Sequence, residues 1–393
     1  VTAPTVVEAH KNRAGALIKG GHTAAAVDHC RRALVLAPHD GEGHYNHGNA
    51  LKAAGRLAPA VARYDRALTV DPAHAEATWN KALALLKSGH FREGWRLYEA
   101  RWRLTSRQGF WPDLPKPLWR PEAPGRVLMW AEQGVGEALI FASMIAELQS
   151  RCDHLIVSVD ARLIPLLARA MPPGVDFRPA DAAVDPVAYD HHLPMGHLCQ
   201  FLRADLAQIR AAPAPYLQAD PARTAAIRAR LGDGRVPIYG LSWRSSSLTR
   251  LHKSIDPARL VASLPDDDVV LVNLQYGDTA DEIAAVKAAT GREIIDLPEI
   301  DNFNDIDGLA ATIAACDRII TIANVTADLA GGLAKDVCVL LGPDTDWRWL
   351  AAGDGTPWYP SARLYRQTGR SAWPPVLAAL AADLMVRDGP PGG

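Results

Sequence analysis

The sequence predicts an α plus α/β protein, with N-terminal helical hairpins followed by two Rossmann-like lobes. Three observations predict it. Gly21, Gly55 and Gly89 stand at steps of 34 residues, and Ala33 with Ala67 and Pro38 with Pro72 keep the same step. From residue 126 onward short apolar runs alternate with helical patterns, as expected of parallel strands covered by helices. Two proline-containing stretches, 106–125 and 212–223, fall where the pattern changes. A chain of 393 residues is also too long for one core, so two or three domains are expected.

Composition narrows the class of partner. With 48% hydrophobic and 22% charged residues the chain has the make-up of a folded protein. Its 42 Lys and Arg against 44 Asp and Glu leave no basic field for nucleic acid or an anionic membrane. Cys30, Cys152, Cys199, Cys316 and Cys338 are scattered without a CxxC pair, which reads as isolated thiols in a reducing compartment. The opening VTAPTVVEAH lacks a basic stretch followed by an apolar run, and nothing approaches the ~20 apolar residues of a membrane span. A cytoplasmic location is the expectation.

In the repeat region each unit ends one helix near its glycine and resumes at an apolar residue, Leu57 or Phe91. Ala26, Ala60 and Gly94 allow close helix approach, and Tyr64 and Tyr98 fill the space between pairs. Units at 7–40, 41–74 and 75–108 resemble the tetratricopeptide repeat, most closely in HYNHGNALKAAGRLAPAVARYDRALTVDP. The first unit departs from it at Ala14. Such stacks expose an extended groove, and Asn46, Asn49 and Asn80, with His44 and His47, are polar candidates for it. The duller reading is a rigid spacer. A metal site from His39, His44 and His47 lacks an acidic or thiol ligand, and none is expected.

The domain division expected is 7–108 for the repeats, 109–125 for an ordered linker, 126–215 for the first lobe and 216–388 for the second. Strands are expected at 126–131 and 154–160 in the first lobe, and at 236–243, 268–274, 317–322 and 336–341 in the second. Helices are expected at 136–150, from 161, and at 257–263, 279–289, 306–315 and 325–334. Ligands of open α/β sheets bind at the carboxyl ends of strands, which directs attention to the turns there.

The turn AEQGVGEAL opens the first lobe, and Gly134 and Gly136 would let its backbone approach a ligand. It is neither a full GxGxxG, since Leu139 replaces the third glycine, nor a P-loop. Asp160 ends the second strand as a ribose-binding acid would, which keeps a nicotinamide enzyme open as a lesser alternative. More specific is an ordered series: WAEQGVGEALIFASMI, IYGLSWRSSSLTRLHKSI, LVNLQYGD, DIDGLAATIAACDRIITIANVTADLAGGLAKDVCVLLGPDTDWRWL and TPWYPSARLYRQ. This series resembles bacterial tetratricopeptide glycosyltransferase-like proteins, whose α/β part is similar to lipopolysaccharide heptosyltransferases.

The resemblance implies a GT-B fold and a glycosyltransferase, with a nucleotide-sugar donor on the second lobe and an acceptor facing the first. It implies donor contacts from Gly134, Gly136, Trp243, Arg244, Ser245, Lys253, Gln275, Asn324, Val325, Thr326 and Asp328. Helix N-termini and cations would then stabilise the leaving diphosphate without a metal or other cofactor. Glu137 stands where the family has an Asp and is the candidate base for the acceptor hydroxyl. Two departures, Ala323 in place of an Asp and Asp328 in place of a His, put turnover in question. An aspartate there repels diphosphate unless protonated or turned away.

Each residue has a plainer reading too. Asn324 and Thr326 could simply cap a helix, Lys253 could be a solvated charge, and Trp347, Arg348 and Trp349 read as packing. The strings Asp305-Ile306-Asp307 and Asp344-Thr345-Asp346 read as loop caps rather than a metal site, and His191, His192 and His197 as loop and edge residues. The expected function is transfer of a sugar to a protein acceptor, flagellin being compatible, or to a surface glycan, recruited by the repeats. The alternative is a non-catalytic scaffold whose degenerate α/β part docks a partner or forms a homodimer.

Overall fold

The computed structural model describes residues 3–105, 112–232, 234–245, 253–265, 269–343, 345–367, 369 and 373–388. Residues 106–111, which include the start of the expected linker, 246–252 (SSLTRLH) and Asp344 lie outside the described residues.

Six helices come first: α1 (Ala3–Lys19), α2 (Thr23–Leu36), α3 (Gly41–Ala53), α4 (Leu57–Val70), α5 (Ala75–Lys87) and α6 (Phe91–Tyr98). They form three pairs at 34-residue steps because the same turn recurs. Gly21, Gly55 and Gly89 adopt left-handed φ of 81°, 74° and 81°, a conformation that costs glycine nothing. In each turn the next amide reaches back five residues, His22 to Leu17 O, Arg56 to Leu51 O and His90 to Leu85 O, at 2.8, 2.9 and 2.9 Å. That bond closes the helix end as a Schellman motif does.

A four-stranded parallel sheet follows: β1 (Arg126–Trp130), β2 (His154–Val159), β3 (Val175–Pro179) and β4 (His191–Pro194), in the order β3-β2-β1-β4. Between its strands run α7 (Val135–Ala142), α8 (Ile145–Gln149) and α9 (Ile164–Ala170). The single helix expected over 136–150 is therefore two. Ser143 turns its hydroxyl back to Ile140 O at 2.7 Å, a bond that competes with the helix ladder at the break.

After the short α10 (Cys199–Leu202), α11 (Leu206–Arg210) and α12 (Pro221–Leu231) comes a six-stranded parallel sheet. Its strands are β5 (Ile238–Ser242), β6 (Val270–Asn273), β7 (Ile294–Ile295), β8 (Arg318–Ile322), β9 (Asp336–Leu341) and β10 (Ala362–Arg366), in the order β10-β9-β8-β5-β6-β7. Its helices are α13 (Pro257–Ala262), α14 (Ala280–Thr290), α15 (Ile306–Ala315), α16 (Val325–Gly332) and α17 (Trp373–Asp388). Both sheets are Rossmann-like. Among the described residues no helix is long and apolar enough to cross a membrane.

By compactness the chain divides into two units. One comprises Val1–Asp113, Cys199–Gln208 and Asp344–Ala352. Within it Trp95, 1% exposed, donates to Arg203 O at 3.1 Å and meets the Trp347 ring edge-on at 5.0 Å. Tyr64 lies fully buried against Leu51, Leu57 and Ala84 and donates to Asn49 Oδ1 at 2.9 Å. Burial pushes its hydroxyl far above the usual phenol value. The other unit, Leu114–Leu198, Ile209–Pro343 and Gly353–Gly393, holds both sheets.

Gly48 shows how tightly the helix pairs close. A Cβ there would stand 2.5 Å from Tyr64 Cε1, whereas a Cβ at Gly15, also helical, meets nothing within 4 Å. Gly48→Ala should therefore destabilise the repeat unit by about 1–3 kcal/mol, the usual cost of overpacking. Gly15→Ala should be stabilising by about 0.5–1 kcal/mol through helix propensity. Urea denaturation of the two variants checks this, and equal effects would contradict the packing.

Candidate functional site

Strand order reverses once in each sheet of the second unit, at β1/β4 and at β5/β8. Diverging connections at such a switch point leave a crevice beyond the carboxyl ends of the strands. The candidate residues fall at these two places.

At the first, β1 runs into the turn 131–134 and α7 begins at Val135 with Gly134 as its N-cap. Gly136 is buried, Gly134 is exposed and Glu137 is half-buried in the first turn of the helix. A Cβ on Gly134 would lie 3.3 Å from Glu137 Oε2, so the carboxylate folds back over the glycine turn. An acid there is favoured by the helix N-terminus. Across the switch point, Gly196 N beyond β4 donates to Glu132 Oε1 at 2.9 Å. Any side chain at Gly196 would meet that oxygen at 2.5 Å. Glu132 and Gly196 are residues that the sequence reading missed. The acid directly before the glycine turn was the available signal, but its partner is 64 positions away.

At the second switch point a polar chain crosses three strands. Asn324, the N-cap of α16, accepts from Thr326 N at 3.1 Å and from Thr321 Oγ1 at 3.1 Å. Its amide nitrogen donates to Ser242 Oγ at the end of β5, 2.8 Å away. Ser242 Oγ in turn donates to Gln275 Oε1 at 3.1 Å, and that oxygen also accepts from Trp243 N and Arg244 N at 3.0 and 2.8 Å. Asn273 Oδ1 accepts from Gln275 N at 2.8 Å, and Asn302 reaches the carbonyls of residues 273 and 275. The ends of β5, β6 and β8 are thus fixed to one another by side chains.

The expected donor residues separate into groups on this geometry. Asn324, Val325 and Thr326 form the first turn of α16. Gln275 is 1% exposed, and its side-chain oxygen serves the loop after β5. Trp243, also 1% exposed, packs in the lobe core with Tyr365 and Trp373, its indole N–H without a partner among the described residues. Arg244 is held by Glu282 at 3.0 Å and donates to Asp278 O at 2.8 Å. Ser245 N meets Ser254 Oγ at 3.3 Å, and Lys253 is buried rather than solvated. Asp328, 4% exposed, accepts from the Tyr359 hydroxyl at 2.9 Å. Tyr359 lies over Gly331, where a Cβ would meet its ring at 2.4 Å, so the absence of a side chain there leaves room for the phenol.

The two switch points lie on helices that pack on each other, α7 and α16. Ion pairs join the same layers elsewhere. Arg169 in α9 grips Asp307 in α15 with bonds of 2.7 and 3.0 Å, a paired, charge-assisted contact. Arg223 pairs with Asp305, which also caps α15, and holds its carboxyl below the usual range. Both acids of the Asp305-Ile306-Asp307 string are thereby engaged with arginines. Asp346 caps the turn at Arg348. Asp160 is bound by Arg162 at 2.7 Å, which lowers its pKa, so the acid at the end of β2 already has its cation. His192 Nδ1 lies 3.2 Å from Trp130 Nε1, His191 shares β4, and His197 is buried. In the helical unit Asn46 meets Glu42 on its own helix, while Asn80 bonds Tyr45 and Lys52. His44 and His47 are buried in α3.

No family model matches the chain. It is 31% identical over 317 residues to Protein FlbA of Caulobacter vibrioides, a match covering 75% of this chain and 52% of that protein. The chain spans about half the length of the curated relatives it matches. Among solved structures it is similar to the E. coli ADP-heptose lps heptosyltransferase II, at 16% identity over 67% of this chain and 100% of that one, TM-score 0.44. It is also similar to a family 9 glycosyl transferase from Veillonella parvula, at 10% identity over 62% of this chain and 86% of that one, TM-score 0.42. Likenesses this loose leave the chemistry to be read from the turns and side chains themselves.

Replacement of Asn324 separates its capping role from its cross-strand role. Asn324→Asp keeps the cap oxygen but loses the donor to Ser242, while Asn324→Ala loses both. Alanine should cost about 1–2 kcal/mol at the cap alone, more than aspartate costs there. Equal stabilities of wild type and Asn324→Ala in guanidinium would contradict the described network.

Proposed function

We propose that this chain transfers a sugar from a nucleotide-sugar donor, bound by the second lobe, to a protein or glycan acceptor recruited by the N-terminal repeats. The reading takes those repeats as tetratricopeptide hairpins and the α/β part, 126–215 and 216–388, as a GT-B pair of lobes. The observation that carries it is the packing of α7 on α16, which brings together two strand-to-helix turns at the switch points of two parallel sheets. One turn presents a carboxylate, Glu137, and the other a capped helix start, Asn324-Val325-Thr326.

The chemistry follows from those parts. A departing nucleoside diphosphate gains negative charge, and the positive end of the α16 dipole with its backbone N–H groups would stabilise it. Because Arg244 is already neutralised by Glu282, the helix start carries more of that task than a cationic loop would. Asp328 does not oppose it from the first turn, since its carboxylate is turned to Tyr359. Glu137 would take the proton of the acceptor hydroxyl as the oxygen attacks the anomeric carbon. No metal or other cofactor has a part in this scheme.

The second reading, a scaffold with a degenerate α/β part, is favoured by one feature. Gln275 and Arg244, expected to meet the donor, and Asp160, the ribose-binding acid of the nicotinamide alternative, are all engaged with protein groups. Thermal shift distinguishes the two. UDP, ADP or GDP at about 100 times its Kd should add about 2.7 kcal/mol to an enzyme and nothing to a scaffold. Glu137→Gln should keep that stabilisation and lose transfer by ~10²- to 10⁴-fold, and EDTA should leave transfer intact. Stabilisation by none of these nucleotides would sink the enzyme reading, and full transfer by Glu137→Gln would remove the base from this position.

A further inference from the structure

The outer ends of α2 and α4 carry a pattern that sugar transfer does not use. Arg32 and Arg66 occupy equivalent places 34 residues apart, and Leu36 and Val70 follow each of them by four residues. Both aliphatic residues are exposed, Leu36 at 50% and Val70 at 53%, and neighbouring Val35 is 77% exposed. In the third helix pair the matching positions, Ala100 and Leu104, are buried, so the pattern belongs to the first two pairs.

The apolar ends meet around one point. A Cβ on Gly41, the first residue of α3, would stand 3.1 Å from Val70 Cγ1, and one on Gly43 would stand 3.1 Å from Leu34 Cδ2. Thus the ends of α2 and α4 flank the start of α3. Basic groups surround the same helix. His47 is pushed down to about 4 by burial first, and then by Arg63, His44, Arg56 and Arg31, while Arg63 and Arg66 act on His44. Among the described residues Arg32, Arg63 and Arg66 have no hydrogen-bond or ion-pair partner. Of the nearby acids, Asp65 is taken by Lys81 at 2.8 Å and Asp40 by Lys11 at 3.1 Å, while Glu42 accepts from Asn46 and Asp71 accepts from Ala73 N at 3.0 Å.

In a chain of formal net charge -2, unpartnered Arg32, Arg63 and Arg66 stand on the same two helices as exposed Val35, Leu36 and Val70 and give them a basic, partly apolar surface. Exposed aliphatic residues rimmed by charge mark contact surfaces, and complementary charge selects and orients the partner. We propose that this face of the first two helix pairs docks an acidic segment of a partner protein, with its aliphatic side chains on Leu36 and Val70 and its carboxylates on Arg32, Arg63 and Arg66. An anionic membrane is the less fitting occupant, because the aliphatic residues lie at helix ends beside the α3 start and not along a helix face.

The inference is independent of the transfer reading. Its probe is a fluorescein-labelled helical peptide with Glu and Leu four residues apart, read by fluorescence anisotropy against a Gln-for-Glu control peptide and phosphatidylglycerol vesicles. The full chain should prefer the Glu peptide about ten-fold or more over the control, and the preference should shrink with added salt as screening grows. Arg32→Glu with Arg63→Glu and Arg66→Glu should abolish it, and Leu36→Ser with Val70→Ser should weaken binding without removing the salt dependence. Circular dichroism and the nucleotide thermal shift, measured on the same variants, separate this surface from the nucleotide site. Equal binding of both peptides, undiminished binding by the charge-reversed variant, or capture of vesicles in preference to peptide would overturn it.

Discussion

The carboxamide of Asn324 fixes the geometry on which the carboxyl-end edge of the second sheet depends. Its oxygen caps α16 and accepts from Thr321, and its nitrogen reaches across to Ser242 at the end of β5. A parallel switch point has diverging connections and no ladder beyond its last residues, so its ends must be held by side chains. Here Asn324, Ser242 and Gln275 do so over three strands, with buried groups that satisfy one another. The first sheet uses the same device in a shorter form, Glu132 to Gly196. Buried polar chains of this kind are costly when half-satisfied, which ties the identity of each residue to that of its neighbours.

That constraint also explains why residues expected to meet a ligand face inward. Gln275 and Trp243 stand at strand ends, where a binding role is the natural expectation, yet their side chains build the edge rather than line it. In the proposed reading the chemistry falls to the first turns of α7 and α16. A capped helix start is preorganised and needs no reorganisation when charge develops, which suits a leaving diphosphate.

How much was legible in the sequence follows from burial. The six strands read from apolar runs are β1, β2, β5, β6, β8 and β9, and every one is interior to its sheet. The four missed, β3, β4, β7 and β10, are the four edges. An interior parallel strand is covered on both faces and reads as a continuous apolar run, whereas edge segments such as VDFRP and HHLP have no such requirement. The helix pairs were legible because a left-handed turn demands glycine at Gly21, Gly55 and Gly89. Partners distant along the chain were not: Glu132 with Gly196, Asp328 with Tyr359 and Trp95 with Trp347 each depend on the folded arrangement. The bond from Tyr359 to Asp328 is likewise not readable from residue type alone.

The central claim is that a nucleoside diphosphate sits on the α16 start beside the first turn of α7. Hydrogen exchange read by mass spectrometry, with and without UDP, ADP or GDP, tests it at the amides concerned. The account predicts slowed exchange in peptides spanning 323–329 and 134–139 with whichever nucleotide binds, and no change in 41–70. Protection that appears with a bound nucleotide but spares both segments, or no protection with any of the three, would contradict it.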